Sequence, residues 1–199
     1  MNITKHTVTV LPDGYILKET IDLQKDRKTA IIVNGLAVLV MVVLFPLGSV
    51  VIDIDKFFES LSPTVIFVNL GLAVIGPFIY LVLHELTHGI FMKYFGAEHV
   101  KYGFTGLYAY ASSKEDYFDK FSYTIVSLAP LTIWFVIFTV LMIFMPRWML
   151  PGLYFLQVTN ISGSMGDVYI STRFRKLDPS VFILDLGVSM SVFVKETIC

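Results

Sequence analysis

His84-Glu85-Leu86-Thr87-His88 is the part of this sequence best equipped for chemistry. On a helix, side chains four residues apart leave from one face, so His84 and His88 can direct two imidazoles at one metal ion. Neutral imidazole suits zinc, and a catalytic zinc takes three protein ligands and keeps a position for water. Glu85 lies about 100° round the helix from His84. From there its carboxylate can take a proton from a water whose pKa the metal has lowered. Gly89 leaves the following backbone room for a close approach. The plain alternative is two histidines and a glutamate paired in a polar bundle interior. The apolar run that carries them argues against it, because ionisable groups in such runs are costly and mark functional sites.

A third ligand has to come from elsewhere in the chain. Asn160-Ile161-Ser162-Gly163-Ser164-Met165-Gly166-Asp167 is the candidate patch. Asn160, Gly163 or Ser164, and Asp167 recur at the spacing of one helix face, and the small residues among them let a second helix approach closely. Asp167 is a metal ligand or else a counter-ion for Arg173 or Arg175. Asn160 is a donor to the oxyanion of a tetrahedral intermediate, or else makes an interhelical hydrogen bond. Glu98, His99, Asp116 and Asp119 fall in a polar segment where solvation accounts for them, and His6 needs no special role.

The elements that must position these residues are apolar. The 199 residues are 55% hydrophobic and 16% charged, with a mean hydropathy of +0.72. Four runs approach the ~20 residues that a helix needs to cross a bilayer. They cover about 30–52, 65–95, 122–145 and 150–171, and Gly76-Pro77 offers a kink within the second. Residues 1–23 read as a β-hairpin around Pro12-Asp13-Gly14, Val100 to Phe104 as a strand, and Val188 to Val192 as another. The expected fold class is an all-α membrane protein with about four transmembrane helices and small β-rich cytoplasmic segments. Its parts are a hairpin and basic collar over 1–29, a membrane domain over 30–171 and a β-rich tail over 172–199. Basic residues alternate rich and poor along the loops, from Lys5, Lys18, Lys25, Arg27 and Lys28 to Arg173, Arg175 and Lys176. That pattern predicts a multi-pass protein of the cell membrane with both termini cytoplasmic. A net charge of −1 gives no sign of a nucleic-acid partner. The one cysteine, Cys199, excludes an intrachain disulfide, and the first 29 residues predict no cleavable leader.

The histidine motif in one apolar run and the Asn160-to-Asp167 patch in a later one resemble the intramembrane site-2 zinc metalloproteases. Most closely they are similar to a bacterial family of putative zincin peptidases, over nearly the whole chain. Ser127-Leu128-Ala129-Pro130-Leu131 stands where the larger proteases carry an Ala-Gly-Pro segment. Gly163 replaces their proline, and Val168 the glycine after their aspartate. The resemblance implies one zinc ion per chain, held by His84, His88 and Asp167, with Glu85 as general base. The favoured reading of the residues is hydrolysis of peptide bonds in membrane proteins or membrane-associated peptides, at or within the lipid bilayer, with Asn160 steadying the oxyanion. The rival readings are a non-catalytic zinc-binding sensor or assembly protein, and an ion-path or transport protein lined by the same residues.

Overall fold

The computed structural model describes residues 7–106 and 109–196. Lys5, His6 and Cys199, named above, lie outside them. The chain divides into two compact units, one of Met1–Val33, Glu85–Pro130 and Gly166–Cys199, the other of Asn34–His84 and Leu131–Met165.

The first unit is built on a six-stranded antiparallel sheet. Its strands are β1 (Thr7–Val8), β2 (Tyr15–Asp22), β3 (Lys101–Phe104), β4 (Ala109–Asp119), β5 (Phe182–Asp185) and β6 (Ser189–Lys195). Their order is β1-β4-β5-β6-β2, with β3 also on β4. Phe118, Ile183 and Val192 stand directly opposite one another across β4, β5 and β6 and are each fully buried. They pack with Ile170 and Phe174 of α7 (Met165–Arg175), Val126 of α5 (Lys120–Phe144) and Met92 of α4 (Gly76–Tyr94). Burying side chains of this size stabilises by about 1.5–3 kcal/mol each, so the row fixes the strand register.

This architecture corrects the expectation of an all-α protein. The chain is a mixed α and β fold whose sheet draws on its N-terminal, middle and C-terminal segments. The longest strand, β4, escapes a hydropathy reading because several of its buried positions are polar: Ser112, Ser113 and Asp116 are all fully buried. Among the described residues the expected N-terminal hairpin pairing is not seen, since β1 pairs with β4 and β2 with β6. A two-stranded hairpin is marginal alone, and Thr7 and Ile21 are buried by joining the larger sheet instead.

The tight turn between β5 and β6 places Gly187 at φ 96°, a conformation that a side chain disfavours. Asp185 supports that turn by accepting from Gly187 N at 2.7 Å, and its other oxygen accepts from Tyr123 Oη at 2.9 Å. Burial pushes the Asp185 carboxyl up to about 6, against the lowering effect of those two hydrogen bonds. A carboxyl raised in the folded state binds protons more tightly there than in the unfolded chain. Its contribution is therefore present below the unfolded value near 4 and is lost as pH rises towards 6. Asp185→Asn is expected to flatten the pH dependence of stability between pH 4 and 6, because the titrating group is removed while its remaining oxygen can still accept from Gly187 N. Denaturation at a series of pH values, with and without the substitution, checks this. An unchanged slope would refute it.

The second unit holds most of the apolar helices. α1 (Arg27–Val51) and α5 are each 25 residues long and apolar enough to cross a membrane, which is compatible with membrane association. α3 (Pro63–Val74) and the start of α4 qualify only as a pair, bent by 43° where Ile75 separates them, next to the expected Gly76-Pro77 kink. The expected fourth span, 150–171, does not exist as one helix. It breaks at Ser164 into α6 (Leu150–Gly163, 14 residues) and α7 (11 residues). Fourteen residues rise only about 21 Å, short of a hydrocarbon core of ~30 Å. Within this unit Asn69 of α3 accepts from Gly152 N and donates to Trp148 O, which seats α6 on α3. A smaller core of Tyr80, Phe138 and Leu156 joins α4, α5 and α6.

Candidate metal centre

The sequence motif lies, as expected, on a helix. His84 and His88 are one turn apart on α4, and both side chains are buried. Each uses Nδ1 for a partner inside its own unit. His88 Nδ1 lies 2.9 Å from Val126 O. A carbonyl only accepts, so Nδ1 carries a proton, and in the neutral imidazole Nε2 then keeps its lone pair. That lone pair faces Asp167: His88 Nε2 is 3.5 Å from Asp167 Oδ1. In that neutral form the two atoms are both lone-pair donors, an arrangement suited to a cation held between them. His84, on the same helix, directs its Nδ1 at Tyr80 Oη, 2.8 Å away.

His84, His88 and Asp167 each offer one ligand atom, and the three atoms lie within 4.8 Å of one another. Zinc–nitrogen and zinc–oxygen bonds of about 2.0–2.1 Å in a tetrahedral site place neighbouring ligand atoms roughly 3.4 Å apart. The 3.5 Å between His88 and Asp167 fits that spacing. The donor set, two imidazoles and one carboxylate, is also one that zinc favours. Asp167 is fixed from behind, since Ser127 Oγ donates to its backbone carbonyl and Ser171 Oγ donates to Ser127 Oγ.

Glu85 is half-buried, and its Oε2 accepts from Ala111 N at 2.7 Å. The general-base candidate is thus held by a main-chain donor of β4, which restricts its rotamers. The β3–β4 hairpin passes close over the motif helix. A Cβ at Gly89 would stand 2.0 Å from Tyr102 Oη, so the glycine permits that approach.

Asn160 is fully buried in the second unit. Its Oδ1 accepts from Tyr80 Oη at 2.8 Å, and its Nδ2 donates to Leu131 O at 3.2 Å. Among the residues taken as solvated, Asp119 caps α5 by accepting from Ser122 N at 2.7 Å. Asp116 is not solvated: it is fully buried and accepts from Glu98 N, His99 N and Ser113 Oγ. Sequence reasoning missed Tyr80, although its spacing of four from His84 puts it on the motif's own face. The Val126 carbonyl and Ala111 N–H left no signal, because main-chain groups are common to every residue.

A helix carrying paired imidazoles, a carboxylate ligand from a later helix and a tethered carboxylate beside them has the parts of a zinc-dependent metallopeptidase. The chain belongs to the putative zincin peptidase family, whose pattern matches residues 77–182, more than half of the 199. The match begins just ahead of Tyr80 and ends inside β5, so it spans every residue of the candidate centre. No curated protein and no solved structure matches the chain.

Proposed function

We propose that the protein is a zinc-dependent peptidase acting on membrane proteins or membrane-associated peptides. His84, His88 and Asp167 hold the ion, and Glu85 is the general base. The observation that carries this reading is the convergence of one ligand atom each from His84, His88 and Asp167, with His88 Nε2 3.5 Å from the Asp167 carboxylate. In such a site zinc acts as a Lewis acid on the peptide carbonyl and lowers the pKa of water. Glu85 takes the proton of the attacking water and delivers it to the departing amine, its carboxylate kept in place by Ala111 N–H. The two histidines supply ligands of fixed orientation, because Nδ1 of each is already engaged, and Ser127 steadies the main chain that carries Asp167.

The membrane part of the proposal rests on α1 and α5 and on the apolar run that leads into the motif. Strands from the N-terminal, middle and C-terminal segments share one sheet, which supports placing those three segments on one side of any bilayer the helices cross. The basic residues of the same segments favour the cytoplasmic side. Cleavage within the membrane, in the manner of the site-2 proteases, is the finest element of the reading and draws on the resemblance of the motifs.

Metal content tests it. Purified protein is expected to carry about one zinc per chain, as a single closed ligand set requires. His84→Ala and Asp167→Ala are expected to lose it under dialysis that leaves the unsubstituted protein loaded. Wild-type protein that takes up no zinc after reconstitution would sink the proposal.

A further inference from the structure

The second unit contains a buried polar chain that ends on a metal ligand, and its hydrogen-bond directions can be worked out from one end. Leu131 O is a main-chain carbonyl and can only accept. The Asn160 side-chain atom 3.2 Å from it must therefore be Nδ2, which turns Oδ1 towards Tyr80. Swapping the amide would set two oxygens against each other at Leu131. With Oδ1 fixed as an acceptor, Tyr80 must donate its single hydroxyl proton to it, across 2.8 Å. The hydroxyl has then only lone pairs left to offer His84 Nδ1, also 2.8 Å away, so the imidazole donates through Nδ1–H. His84 is thereby held as the tautomer whose Nε2 carries the lone pair.

All three side chains are buried, with Asn160 fully so. The Tyr80 ring is clamped edge-on by Trp134, with centroids 6.2 Å apart, and lies 5.8 Å from Phe138. The ring itself therefore does not depend on the hydroxyl for its place. Leu131 O, Asn160 Oδ1 and Tyr80 Oη each find a partner along the chain Leu131–Asn160–Tyr80–His84, as a buried polar network requires.

We propose that Tyr80 and Asn160 are positioning residues for the metal centre, with Asn160 acting through Tyr80 to fix the tautomer and orientation of His84. This rests on the zinc reading above and adds a role that the ligand set alone does not contain. It differs from a direct part for Asn160 in catalysis, because the Asn160 N–H group nearest the chain is committed to Leu131.

The test is zinc affinity by chelator competition, with the visible absorption of the cobalt(II)-substituted protein as a second readout of ligand geometry. The proteins are wild type, Tyr80→Phe, Asn160→Ala and the double variant. Tyr80→Phe removes one oxygen from a ring held by its aromatic neighbours, and is expected to weaken zinc binding about 10–100-fold and to alter the cobalt spectrum. Asn160→Ala is expected to weaken binding by a similar or smaller factor. The double variant should bind no more weakly than Tyr80→Phe alone, since both act on one imidazole. Wild-type affinity and an unchanged cobalt spectrum in Tyr80→Phe would overturn the relay while leaving the zinc site standing. So would an Asn160→Ala protein that keeps full affinity, or losses that simply add in the double variant. A wild-type protein that binds neither metal overturns the relay and the zinc reading together.

Discussion

Glu85→Gln is expected to keep its zinc and to lose peptide hydrolysis by about 10²–10⁴-fold, the usual contribution of a positioned general base. The geometry makes this substitution unusually clean. Ala111 N–H donates to one Glu85 oxygen, and the glutamine amide oxygen can accept the same bond. The strand contact, the rotamer and the volume are therefore retained, and what is removed is the basicity. Neither proposed histidine ligand depends on Glu85, because His88 is tied to Val126 O and His84 to Tyr80 Oη. Zinc content and hydrolysis of fluorogenic peptides, measured on the same reconstituted preparations, read the two properties apart. Hydrolysis within a few-fold of wild type would remove Glu85 from the mechanism. A zinc-loaded wild type with no hydrolysis at all, whose function survives Glu85→Gln, would instead favour a metal sensor.

The chemistry of this chain was more legible than its fold, for a physical reason. That His84 and His88 share one face follows from a spacing of four on one helix, and helical spacing is a local property of the sequence. The same rule reaches Tyr80, which stands in register with both histidines. Asp167 was reachable through the face it shares with Asn160, even though Ser164 divides that stretch into two helices. The sheet was less accessible. Its pairings join Tyr15 to Lys195 and Thr7 to Phe118, and no local pattern records which distant strand a segment will meet. β4 was hidden further by its buried serines and Asp116, which give a core strand the composition of a loop. Hydropathy also merged α6 and α7 into one span, because it averages over Ser164 and does not register where a helix ends.

Asp116→Ala is expected to be among the most destabilising single substitutions in the sheet unit, and the reason lies in how that unit holds the motif helix. After α4 the chain turns at Gly96 and runs through Glu98 and His99 towards β3. Asp116 Oδ2 accepts from both of those main-chain N–H groups, each at 3.2 Å, and from Ser113 Oγ. One carboxylate oxygen thus ties the segment following the metal helix to β4, the strand whose Ala111 N–H holds Glu85. Alanine leaves two partly buried N–H groups without acceptors, at about 1–3 kcal/mol each, for a loss of roughly 2–6 kcal/mol. For a chain of this size that corresponds to a fall in melting temperature on the order of 10 °C. Asp116→Asn separates geometry from charge, because its amide oxygen can take the place of Oδ2 and keep all three bonds. It should recover most of the lost stability, whereas Asp116→Ala should also raise the zinc dissociation rate by loosening the far end of α4. Thermal unfolding of the two variants, followed with and without zinc, decides the matter. If Asp116→Ala unfolds with wild type, the loop is held by other means. If Asp116→Asn falls as far as alanine, the charge on this buried carboxylate, and not the position of its oxygen, is what the sheet requires.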